Sequence, residues 1–144
     1  MGKKSSSEKL VIAAASAGAA VGAAYLAVGN AIFNKTMSKK SIAKKMDEKK
    51  NEYDGITKEG MEWFDSASPA KVKIVTPRGG YVHGEIILAD EPSDVWVIVI
   101  HGYTGSPRRM GSFGKRFHEM GYNCLFPYLC GHGASESNYV TMGW

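Results

Sequence analysis

The chain has 144 residues, 44% hydrophobic and 22% charged, with 18 Lys and Arg against 14 Asp and Glu for a formal net charge of +4. That length holds one ordinary domain. The positive excess sits in residues 35–50 beside an apolar run and forms no motif that reads a nucleic-acid groove, so it suits a phospholipid-facing or topology-setting segment and argues against nucleic acid as a partner.

Residues 1–9 form a basic leader with Lys3, Lys4 and Lys9. Residues 10–33 carry no charge and are long enough for the roughly 20 apolar residues that cross a bilayer, which predicts a single transmembrane helix and a cell-membrane location. A cleaved signal peptide fits less well, because its apolar part usually runs to about 7–15 residues. Met1-Gly2-Lys3-Lys4-Ser5-Ser6 has the form of an N-myristoylation site, which a span would make redundant. Ala14, Gly18 and Gly22 repeat at four-residue intervals, a spacing that lets two such helices approach closely. The lysines after the span favour a cytoplasmic C-terminal part, whereas a basic leader before an apolar run has the form of an export anchor, so both orientations stay open.

Residues 34–69 read as a Lys-rich juxtamembrane spacer. Met37, Ile42, Met46, Tyr53 and Ile56 have rough helical spacing, which fits either a basic amphipathic helix at the membrane surface or a solvated linker. Gly55 and Gly60 limit any helix, and Ser66-Ala67-Ser68-Pro69 marks a boundary after which the folded domain, residues 70–144, is expected to begin.

From there the pattern is that of an α/β protein. Residues 72–76 alternate with period two, Pro77-Arg78-Gly79-Gly80 signals a turn, and residues 81–88 complete a predicted antiparallel hairpin. Val95-Trp96-Val97-Ile98-Val99-Ile100 is apolar throughout, the signature of a central strand covered on both faces. A helix over 110–120 follows, with Phe113, Phe117 and Met120 at helical spacing and Gly121 as its stop, and then a strand over 122–128. Cys124 falls inside that strand as a buried thiol and Cys130 in the loop beyond. Their spacing fits no zinc site, and no metal or cofactor is expected.

His101-Gly102-Tyr103-Thr104-Gly105-Ser106-Pro107 lies at the C-terminal end of the apolar strand, where open α/β sheets place their ligand crevice. Gly102 and Gly105 free the backbone to turn its N–H groups toward a developing negative charge, as an oxyanion hole requires.

The strand and His-Gly loop of residues 95–103 resemble those of the α/β-hydrolase fold. Gly131-His132-Gly133-Ala134-Ser135 is similar to the loop after the next strand in its lipase, esterase and serine-aminopeptidase-like branch. The resemblance covers residues 71–144. It implies the N-terminal part of a hydrolase mixed sheet, with the Tyr103 backbone N–H as one oxyanion donor and His101, Gly102 and Gly105 supporting the loop. It also implies that Gly131, His132, Gly133 and Ser135 form a rim loop used for shape, not acid–base chemistry. Arg108 and Arg109 are expected at a solvated helix start in preference to a substrate contact.

No Gly-x-Ser-x-Gly occurs in the chain, no His follows His132 and no Asp follows Asp94, so Ser135 has no partners for a relay and no nucleophile is assigned. Gly111-Ser112-Phe113-Gly114-Lys115 lacks the spacing of a phosphate loop, and no dinucleotide-binding Gly-x-Gly-x-x-Gly is present. In the fold that the chain resembles, the strand at 95–100 pairs with the nucleophile strand; without it an open apolar edge results, so a fragment of a longer protein is expected. Two functions follow. One is the front part of a membrane-anchored serine hydrolase that acts, when intact, on an ester, acylglycerol or peptide, and is inactive alone. The other is a short membrane-tethered interaction protein without catalysis. Substrate choice would lie in segments beyond these residues.

Overall fold

The computed structural model describes residues 5–48, 53, 55–77 and 79–141 and divides the chain into two units, residues 1–36 and 37–144. Met1-Gly2-Lys3-Lys4, Lys49, Lys50, Arg78, Met142-Gly143-Trp144 and the side chain of Met46 lie outside the described residues.

The first unit is helical. Helix α1, Ser6–Met37, starts with a reciprocal cap: Glu8 N–H donates to Ser5 Oγ (3.4 Å), and Ser5 N–H donates to Glu8 Oε2 (2.9 Å). Its polar side chains turn back on the helix, Ser16 Oγ to Ala13 O at 3.0 Å and Asn34 Nδ2 to Asn30 O at 2.8 Å, which satisfies them without water. None of its residues is buried, and it is long and apolar enough to cross a membrane. A signal sequence near an N-terminus shares those features.

In the second unit, helices α2 (Lys39–Glu48) and α3 (Gly55–Ser66) precede a four-stranded mixed sheet. Its strands are β1 (Ala70–Val75), β2 (Tyr81–Ile87), β3 (Trp96–Ile98) and β4 (Asn123–Pro127), with α4 (Gly111–Glu119) between β3 and β4. The spatial order is β1-β2-β4-β3; β1/β2 and β2/β4 are antiparallel and β3/β4 parallel. The hairpin expected around Gly79 and Gly80 is present, with Val75 opposite Tyr81 and Thr76 N–H donating to Gly80 O at 2.8 Å.

Within residues 34–69 the described residues of α2 and α3 belong to the second unit, which begins at Met37, ahead of the boundary expected at Ala70. Ser38 bridges Tyr139, Val140 N–H donates to Met37 O (2.8 Å), and Ile42 and Val140 are both buried. Helix α3 buries Gly60, Met61 and Phe64. Gly60 sits in mid-helix without ending it because α3 meets Gly111 at the start of α4: a Cβ on Gly60 would run into the Ser112 backbone, and one on Gly111 into the Gly60 carbonyl. Charge density masked this packing, because one side of a short amphipathic helix suffices to join a core. Ser66-Ala67-Ser68-Pro69 is a boundary all the same, marking the end of α3.

The core comprises Phe64, Ile87, Val99, Cys124 and Phe126, flanked by Trp63, Val97, Met110 and Phe117. Register explains it. Ile87, Cys124 and Val97 form one row across the sheet and face the helices, with Cys124 Sγ 3.7 Å from Gly114 O; the next row, Ile86, Leu125 and Ile98, faces the other way. The six apolar residues of the β3 region are therefore not covered on both faces. Val99 is buried and Val97 half-buried, but Trp96, Ile98 and Ile100 are 50–59% exposed, since α3 and α4 lie on one face and β3 is an edge strand. Helix α4 departs from expectation in the same way: Phe113 and Met120 are exposed, and the helix approaches the sheet through Gly111, Gly114 and Phe117.

Candidate functional site

Beyond β3 the chain turns sharply. Gly105 N–H donates to Gly102 O at 2.9 Å, closing a β-turn with Tyr103 and Thr104 at its centre. Gly105 is required there because a Cβ would meet His101 Cβ at 2.9 Å and Gly102 N at 3.1 Å. Gly102 is exposed, with open space where a side chain would stand.

His101, 2% exposed, is held at both ring nitrogens. Leu129 N–H donates to Nε2 (3.2 Å), so the proton is on Nδ1, which donates to Gly102 O (2.8 Å). Burial holds its pKa below the ordinary histidine value; the bond to Gly102 opposes this, while His132 and Arg109 push the same way. His101 is thereby kept neutral, as its acceptor role requires.

His132, 1% exposed, packs edge-on against His101 with ring centroids 4.7 Å apart. Its Nε2 bonds to the Tyr103 carbonyl and its Nδ1 lies 3.2 Å from Cys130 O. The flanking glycines allow the loop: Gly131 (φ +75°) and Gly133 (φ +49°) are left-handed, and side chains there would collide with the Tyr139 backbone and the Tyr128 ring. Arg109 NH1 donates to Thr104 O at 2.8 Å while its guanidinium lies 4.6 Å from the Tyr53 ring. All three carbonyls of residues 102–104 are thus held, by His101 with Gly105, by His132, and by Arg109. A trans peptide carries its N–H opposite its C=O, so the Tyr103 N–H is directed away from His101.

Ser135 is fully buried and engaged on both sides, donating Oγ–H to Tyr128 O (2.7 Å) and accepting from His83 N–H (2.8 Å). Its oxygen joins β2 to the end of β4. Among the described residues, no three of His, Cys, Asp or Glu converge as a metal centre needs.

A 72-residue stretch, 50% of this chain, is 31% identical to a carboxylesterase of Bacillus subtilis (strain 168). The match covers 26% of that protein, so the chain spans about a quarter of the length of the curated relative it matches. No family model matches the chain, and no solved structure does.

The structure brings His101, Gly102, Tyr103, Gly105 and His132 together and sets Ser135 apart as a tie between strands. Arg108 keeps the solvated helix start that was expected, its side chain 38% exposed, whereas Arg109 does not. Arg108 pairs with Asp65 of α3 through two bonds, Nε to Oδ1 at 2.7 Å and NH2 to Oδ2 at 2.5 Å, and this pairing holds the Asp65 carboxyl below its ordinary pKa. Arg109 belongs to the loop itself. Its position four residues after Gly105, at the end of a short 3-10 turn (Pro107–Met110), was the available signal. Nothing in the sequence pointed to Tyr53 as the surface on which it lies.

Proposed function

We propose that this chain is the N-terminal part of a membrane-anchored serine hydrolase with an α/β-hydrolase fold, acting when intact on a carboxylic ester, an acylglycerol or a peptide. In this reading residues 10–33 anchor the protein in the membrane and the Tyr103 N–H is one of two donors to the tetrahedral intermediate. The observation that carries it is the turn at 102–105, whose three carbonyls are all tied by side chains or backbone, a preorganised arrangement of the kind that oxyanion stabilisation needs. The partial likeness to a carboxylesterase supports the same chemistry.

The nucleophile, its acid and base partners and the second donor then come from further polypeptide. The exposed Trp96 and Ile98 of edge strand β3, with Ile100 just beyond it, favour this, offering an unpaired ladder and an apolar face for another strand and helix. That same edge favours the second reading, a membrane-tethered protein that pairs its edge with a partner. Genomic sequence past Trp144 separates the two: an in-frame Gly-x-Ser-x-Gly within about 40–70 residues, the span of one helix and one strand, supports the hydrolase.

In a protein carrying that motif, Tyr103→Pro tests the donor. Proline suits the second position of a β-turn and, compared with alanine there, takes away the N–H. Relative to Tyr103→Ala, kcat should fall by about 10²–10³. Equal turnover by the two variants would remove Tyr103 from the mechanism.

A further inference from the structure

We infer that His132 is a positioning residue, holding the central peptide of the 102–105 turn in one orientation through its bond to the Tyr103 carbonyl. The catalytic meaning of this role rests on the hydrolase reading above; the geometry does not.

Three peptides make the turn, and each is held separately. The first, Gly102–Tyr103, is fixed by His101 Nδ1–H and Gly105 N–H on its carbonyl, and the third, Thr104–Gly105, by Arg109 on its carbonyl. The middle peptide, Tyr103–Thr104, is the one whose rotation by about 180° interconverts the two commonest β-turn types. Its carbonyl is held by His132, which reaches it from 29 residues along the chain. A flip would swing the Tyr103 carbonyl to the side where Thr104 N–H now points, and a carbonyl oxygen beside the Tyr103 N–H repels an anion. Local preference agrees with the lock. The flipped turn needs positive φ at Thr104, a β-branched residue, and Thr104 has none.

His132 is suited to this work by its own restraints. It is buried, braced by the His101 ring, and flanked by two glycines in left-handed conformations that bring the imidazole under the turn. Both of its ring nitrogens face carbonyl oxygens, so it acts as a donor, whereas His101 accepts at Nε2 and donates at Nδ1. A neutral imidazole has one N–H to give; in this role His132 gives its own from Nε2, toward the closer Tyr103 oxygen, whereas the Nε2 of His101 accepts.

The test is heteronuclear NMR on the full chain in detergent micelles. In the unmutated protein, long-range proton–nitrogen correlations should show Nε2 protonated in His132 and unprotonated in His101, with a coupling across the hydrogen bond from His132 Nε2 to the Tyr103 carbonyl carbon. An unprotonated His132 Nε2 would overturn the proposal without any variant. His132→Phe keeps a ring but no donor, and should shift the Tyr103 carbonyl carbon upfield and split the Thr104 amide into two signals. His132→Gln, which restores an N–H, should return one signal. Unchanged Tyr103 and Thr104 resonances in a folded His132→Phe chain would also overturn it; should that variant fail to fold, the proton arrangement of the unmutated chain decides. No turnover enters these measurements, so their failure removes the role of His132 and leaves the hydrolase reading to its own test.

Discussion

Phe64 meets Phe126 edge to face, with ring centroids 5.0 Å apart and planes at 90°. The contact joins α3, within a segment whose composition suggested a linker, to β4. Phe64→Ala should cost about 3–5 kcal/mol, the range for emptying a buried aromatic site. Denaturant unfolding of a soluble 37–144 segment measures it, and residues 70–144 alone should lack a cooperative transition. Cooperative unfolding of that shorter piece would show that α3 is dispensable.

Gly111→Ala sets a methyl group against the Gly60 carbonyl, a backbone atom that cannot move aside as a side chain can. A destabilisation of about 2–3 kcal/mol is expected from such overpacking. Gly102→Ala, where nothing stands within 4 Å of the added atom, serves as the control and should leave the thermal midpoint nearly unchanged.

Folding holds His101 below its ordinary pKa, chiefly through burial, so the unfolded chain takes up this proton first as pH falls. The stability contributed by neutral His101 is fully present above about pH 6.5. It is lost progressively as pH drops toward the folded pKa, because protonation removes the acceptor for Leu129 N–H. The unfolding midpoint should therefore fall between pH 7 and 5 more steeply in the unmutated protein than in His101→Asn, and parallel curves would exclude the linkage.

Ser135→Ala deprives the His83 N–H and the Tyr128 carbonyl of a shared partner. The cost should be about 1–3 kcal/mol, that of leaving buried polar groups unpaired. A fluorophosphonate probe should not label this chain before or after the change. Labelling that disappears with Ser135→Ala would make Ser135 a nucleophile.

The Tyr128 phenol, half-buried and 3.4 Å from Glu85 Oε1, is pushed up to about 12, first by burial and then by the Glu85 charge and hydrogen bond. Glu85→Gln removes the charge and should bring Tyr128 down toward the ordinary tyrosine value. Ultraviolet titration of the phenolate reads the change, and an unaltered Tyr128 titration would leave burial as the sole cause.

The sequence alone determined those features that depend on neighbours along the chain. A long uncharged run makes a helix of membrane-crossing length; period-two alternation around Gly79 and Gly80 makes a hairpin; Gly102 and Gly105 make a turn after an apolar strand. Tertiary structure decided what depends on which surfaces meet. It drew α3 into the core through Phe64 and Gly60, and left Trp96, Ile98 and Ile100 bare because the helices cover one face of the sheet. It also made the three carbonyls of residues 102–104 into one held unit by bringing up His132, Arg109 and the Tyr53 ring behind it. Composition reports that a residue is apolar or charged. Only the register of β2, β3 and β4, and the close crossing of two helices at Gly60 and Gly111, say what that residue touches.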